Sequence, residues 1–159
     1  MRPEPKHQIS EKALTVWAIS ASLSMLVLWS LFATYLYLTI RFEWPMFIIW
    51  IVVPVLILTT IISVGIMPKF RMKRWRYEVH EQEIDLQQGV WNVTRTIVPM
   101  VRVQHVDTEQ GPLLRKYGLA TVAISTAATV HQIPALPIEE ADQLRDRISI
   151  LARVVDEDV

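Results

Sequence analysis

The chain of 159 residues contains no cysteine. Disulfides, thiolate metal sites and cysteine nucleophiles are therefore excluded. Glycine occurs four times, and none of the four builds a phosphate-cradling loop or a GxSxG elbow. His7, His80, His105 and His131 are scattered along the chain, with no HExxH or comparable ligand spacing. These absences predict a protein that is not an enzyme and has no cofactor or bound metal. Charge is the other scarcity: Arg41 and Glu43 are the only charged residues from Ala13 to Pro68. At 52% hydrophobic residues, low-complexity disorder is excluded as well, because so apolar a chain collapses.

The charge-free runs are 13–40 and 44–68. A helix needs about 20 apolar residues to cross the hydrocarbon of a bilayer, and each run exceeds that, so each spans once. The first is nearly twice as long as a signal-peptide core and is followed at once by another, which argues against cleavage. A buried soluble hairpin would exhaust the apolar surface that the rest of the chain can cover. The reading is a transmembrane hairpin over 13–68 with a turn at 41–43. Trp44-Pro45 is expected to open the second helix, since proline suits a first turn. Pro54 is expected to kink it. Ser20, Ser24, Thr59 and Ser63 offer either a helix–helix seam or chance spacing. The spans hold no deep ionisable residue, so no ion or proton pathway is expected.

The zero net charge is a cancellation. Residues 1–76 hold nine Lys/Arg against three Asp/Glu, and residues 77–159 hold seven against thirteen. Arg2, Lys6 and Lys12 precede the first span, and Lys69, Arg71, Lys73, Arg74 and Arg76 follow the second, whereas the turn has only Arg41. The positive-inside rule then places a tail at 1–12 and everything after the second span in the cytoplasm. Trp17 and Trp75 are expected near the inner interface, and Tyr35, Tyr37 and Trp44 near the outer one. The run 69–76 is a basic juxtamembrane linker. It acts as a topology signal and is a candidate lipid contact through Lys69, Arg71, Lys73, Arg74 and Arg76, each gaining about 1 kcal/mol from anionic lipid. The same leaflet is expected to repel the acidic domain that follows.

From residue 77 the pattern shortens to alternating segments: 77–79, 84–86, 90–100, 101–106, 119–126 and 130–133 read as strands. Gln88-Gly89 and Gly111-Pro112 mark breaks, Leu119 to Thr126 reads as a central strand, and Pro134 and Pro137 close the last. Residues 138–155 read as an amphipathic helix, with Ile138, Ala141, Leu144, Ile148, Leu151 and Val155 on one face. Glu139, Glu140 and Asp142 suit its start. The fold class is α+β: a two-helix transmembrane hairpin, then a small β-barrel or curved sheet over 77–159 capped by a C-terminal helix. His105 and Asp107 share one strand face with Gln104 opposite, which makes either a polar site or a pair that fixes the turn before Gly111.

The blocks Trp75-Arg76-Tyr77, Leu86–Val90, Val98-Pro99, Arg102–Asp107, Gln110–Leu113, Tyr117–Thr121, Ser125–Ala127 and Glu140–Arg145 resemble a bacterial pleckstrin-homology-like (PH-like) membrane family. The layout is similar to its small two-span, YdbS-type members. The resemblance implies a PH-like fold and, as partner, a larger membrane protein of the same family, in a hetero-oligomer linked to tolerance of secreted antimicrobial peptides. Its motif residues, Arg102, Gln104, His105, Asp107, Gly111, Pro112, Arg115, Gly118 and Thr126, are the candidate interaction residues. The family commonly has glycine where this chain has Ala128 and Ala135, so those loops are expected to differ in shape.

Phosphoinositide binding is disfavoured by Glu78, Glu81, Glu83 and Asp85 in the first strands, which repel phosphate. Nucleic acid is disfavoured by the same acidic balance. The expectation is a non-catalytic membrane subunit; the alternative is a lipid- or peptide-handling module that binds anionic lipid.

Overall fold

A computed structural model describes residues 3–157. Arg2 of the predicted inner-side charges lies outside them, as does the side chain of Val155. The chain divides into two compact units, residues 17–69 and, among the described residues, 3–16 together with 70–157.

The helical unit is built from α1 (Lys12–Phe42), α2 (Phe47–Thr60), a π-helical stretch at Ile61–Ile66 and the start of α3 (Met67–Arg74). Two segments, Lys12–Phe42 and Phe47–Arg74, are long and apolar enough to cross a membrane. Their large side chains are outward: Leu26, Trp50 and Leu58 are exposed, as expected of surface that meets lipid tails. The turn comes from Glu43, whose φ of 54° lets the Trp44 amide donate back to the Thr39 carbonyl at 3.2 Å. This six-to-one bond is a Schellman closure, made here without the usual glycine. Pro45 therefore precedes the second helix instead of opening it, and Met46 is the N-cap. Pro54 lies inside α2 without ending it. Of the four small residues named from the sequence, Ser24 and Thr59 donate to carbonyls four residues back on their own helices, and Trp29 Nε1 donates across the hairpin to Thr60 Oγ1 at 3.2 Å.

The second unit holds two antiparallel sheets, not a closed barrel. The first has the order β1 (His7–Gln8), β2 (Arg76–Val79), β3 (Glu83–Gln88), β4 (Thr94–Pro99). The second comprises β5 (Val103–Glu109), β6 (Leu119–Thr126) and β7 (Val130–Pro137), in that order. A 3-10 turn, Met100–Arg102, joins the sheets, α4 (Pro112–Lys116) fills the β5–β6 connection, and α5 (Ile138–Glu157) closes the chain. The alternation read from sequence works as expected in β2 and β3. Tyr77 pairs with Leu86 and Val79 with Ile84, and all four are buried toward the core. β6 is the central strand and is buried from Leu119 to Ser125. From α5, Ala141, Leu144 and Ile148 complete the core, whereas Ile138, at the helix start, is exposed. Trp75 is buried.

Three features depart from the sequence reading. Residues 90–93 form a bend, exposed from Trp91 to Val93, so β4 starts only at Thr94. β7 continues through Pro134 to Pro137, which an edge strand tolerates because its outer N–H groups have no partner strand. Its register shifts opposite Thr121, and Ala135 sits there at φ 54°, the region glycine favours. Alanine at 135 thus holds a glycine-type backbone. The segment before the first span is also more than a tail. β1 pairs His7 with Tyr77 and Gln8 with Arg76, and the Ser10 amide donates to the Ala135 carbonyl of β7 at 3.2 Å. Pro5 and Ile9 are buried. The N-terminal segment thereby links the two sheets.

Candidate functional site

The residues picked from the motif blocks divide into those that shape the backbone and those that face solvent. Gly111 precedes α4, with Pro112 at its first position, where no N–H is needed. The Arg115 amide donates to the Gly111 carbonyl at 2.9 Å. Gly118, at φ 65°, ends the connection and accepts the Ile138 amide at 3.1 Å, so it anchors the start of α5. Thr126 Oγ1 donates to the Thr129 carbonyl at 2.8 Å and accepts its amide at 3.1 Å, which sets the β6–β7 turn. The Arg115 side chain is exposed on α4.

Gln104 is the extra residue in β5. Val103 pairs with Thr126 and His105 with Ser125, so Gln104 has no opposite residue. The β-bulge re-aims it, and instead of facing away from His105 it is exposed alongside it. Gln104 lines two grooves. One, of about 470 Å³, runs between the free edge of β4 and the β6–β7 turn, with Ile97, Val101, Arg102 and Thr126 in its walls. The other, of about 450 Å³, runs between β5 and α5 and is walled by Val101, Val103, His105, Ser149 and Arg153. Ile97 and Val101 are exposed apolar side chains. His105 Nε2 lies 3.5 Å from Asp107 Oδ2, and both are more than half exposed. Exposed ion pairs of this kind contribute little to stability.

On the first sheet charge is paired internally. The outer face of the first sheet carries Arg76, Glu78, Asp85 and Arg95, and the N-terminal segment lies over it. Lys6 pairs with Glu78 at 3.3 Å and Glu4 with Arg76 at 3.4 Å. Arg95 Nε donates to both oxygens of buried Asp85 at 2.9 and 3.0 Å, Arg95 Nη2 donates to Asp85 Oδ2, and Nη2 also reaches the Pro3 carbonyl at 2.9 Å. The hydrogen bonds to Asp85 raise the Arg95 pKa, which fixes its charge. Glu78 and Asp85 are therefore neutralised, and the acidic field read from the sequence is weaker than the count implies. Tyr77 donates to Glu140 Oε1 at 2.7 Å. Burial first, and then the bond and charge of Glu140, push its hydroxyl pKa well above 10.0.

Of the basic run, Lys69, Arg71, Lys73 and Arg74 belong to α3, so the segment read as a linker is helical up to Arg74. Arg76 is in β2 and is engaged by Glu4 and the Pro5 carbonyl. Among the described residues no group of His, Asp or Glu could hold a metal ion.

A family model described as "Bacterial PH domain" matches residues 13–152. The chain is also 57% identical, over the whole length of both proteins, to the UPF0699 transmembrane protein YdbS of Bacillus subtilis (strain 168). No solved structure matches it. The chain belongs to the bacterial PH domain family and is a membrane protein.

Proposed function

We propose that this member of the bacterial PH domain family is a non-catalytic integral membrane subunit. It assembles, through its PH-like domain and spans, with a larger membrane protein of the same family, and the assembly protects the envelope against secreted antimicrobial peptides. The observation that carries the reading is the pair of grooves meeting at the Gln104 bulge. They are open and walled by Ile97, Val101 and Val103 with Arg102, His105 and Arg153 beside them. Exposed apolar walls with polar and basic groups among them suit a protein partner. Both termini lie in the cytoplasm. The pairing of His7 with Tyr77 in one sheet, on either side of the two candidate spans, supports a shared side for both termini, and the Lys/Arg excess favours the inner one.

Mild detergent extraction tests the proposal. The chain is expected to co-purify with a larger protein of the same family, and an Arg102→Glu, Val101→Asp variant to lose it while keeping its fold. Recovery of free monomer alone from the unaltered chain overturns the reading.

The basic helix end supports a second reading, a lipid-handling module. Arg76 is committed to Glu4, so the informative substitution is Lys69, Lys73 and Arg74→Gln. Assembly retained with anionic-lipid association lost favours this second reading.

A further inference from the structure

We propose that the tip of the β3–β4 hairpin is a second membrane contact, an apolar finger that enters the interfacial layer of the bilayer beside the basic end of α3. Trp91 is 89% exposed, Val93 is 49% exposed, and Val90 is half-buried beside them. Solvent-facing tryptophan at the end of a tight hairpin is costly in water and favourable at a lipid–water interface. The backbone is built for this display. Gly89 has φ 123°, and a Cβ there would lie 1.8 Å from the Asn92 carbonyl oxygen.

The strand register gives the direction. The second span ends at Arg74, and Arg76 starts β2 opposite Gln87. β2 runs away from the helix end, so β3 returns toward it. Gln88 pairs with Thr94 to close the hairpin, so Trp91 lies beyond that pair, on the side where Arg71 and Trp75 lie. A groove lined by Arg71, Trp75, Gln88 and Val130 joins the same elements, and Val130 is itself exposed. Residues 86–94 carry no charge, so the acid surplus of the domain does not oppose entry there. The basic residues of α3 sit at headgroup level, as interfacial cations do, and the finger extends that contact. The proposal holds whether or not the chain has a protein partner.

The native chain lacks cysteine, so Asn92→Cys accepts a single environment-sensitive fluorophore in the full-length protein reconstituted into vesicles containing anionic lipid. Its emission is expected to shift to the blue, to be quenched by lipids brominated along the chain, and to resist iodide. A Glu81→Cys label in the β2–β3 turn, at the opposite end of the sheet, should show the reverse. Trp91→Ser added to the Asn92 label should return it to water, with an unchanged melting temperature showing that the fold is kept. Equal iodide access at both positions overturns the proposal. So does a blue-shifted Asn92 label that brominated lipid leaves unquenched, since a protein and not lipid would then cover the tip.

Discussion

Replacing Ile9 by alanine measures how far the segment before the first span belongs to the domain. The Ile9 side chain is 5% exposed and stands between the β1–β2 pairing and the Ser10–Ala135 bond. Core isoleucine to alanine changes cost about 2–5 kcal/mol. A short segment at a sheet edge relaxes more easily than a core strand, so the expected loss is the lower end of that range, about 2 kcal/mol. There is also a ceiling, because once the loss equals the docking free energy of the segment it detaches and the rest stays folded. For a unit of this size each kcal/mol moves the melting temperature by about 4–8 °C, so the expected drop is about 8–16 °C. Thermal unfolding in detergent gives the number, and hydrogen exchange gives the location: β2 and the Ala135 region of β7 should lose protection first. Ile150→Ala is the control. Ile150 is 60% exposed, and surface changes stay within about 0.5 kcal/mol. If the two variants melt and exchange alike, the segment is an ornament and the reasoning fails.

The raised Tyr77 pKa makes the folded state hold its proton more tightly than the unfolded chain. Its contribution is therefore complete below pH 10.0 and declines as pH rises above that value. Melting curves across alkaline pH should show a steeper fall for the native chain than for Tyr77→Phe. Gly89→Ala forces a clash with backbone at a left-handed position, and an unfolding loss of about 1–3 kcal/mol is expected from calorimetry or thermal melts. Arg95→Leu leaves the buried Asp85 carboxylate without its cation. It should melt lower than the double variant Asp85→Leu, Arg95→Leu, and the opposite order would mean that Asp85 is solvated.

The spans were legible because length and missing charge suffice to define them, and β2, β3 and β6 because apolar residues alternate or run together there. The remainder depends on partners that sequence distance hides. Nothing about His7 or Gln8 marks a strand, since so short a pairing carries no period and the partners are the distant Tyr77 and Arg76. The Gln104 bulge inverts the face of one residue, which an alternation argument cannot detect. Trp75 is buried and lines a groove with Leu86 and Pro134, partners that lie far from it in the chain. For the candidate surface, the motif blocks contained the turn-forming Gly111, Pro112, Gly118 and Thr126 and the groove residues Arg102 and Gln104, but did not separate the two roles. Ile97 and Val101, the apolar walls, carried no signal beyond hydrophobicity.

The pairing of His7 with Tyr77 also sets an order of events during synthesis. The first strand leaves the ribosome before either span, and its partner follows only after both. At about 5–20 residues per second, the interval between His7 and Tyr77 is a wait of roughly 4–14 s. During it the N-terminal segment has no sheet to join, while both helices are being inserted beside it. A chain in which only one of the two helices crosses would leave His7 and Tyr77 on opposite sides, so closure of the domain depends on the two helices going in as a pair.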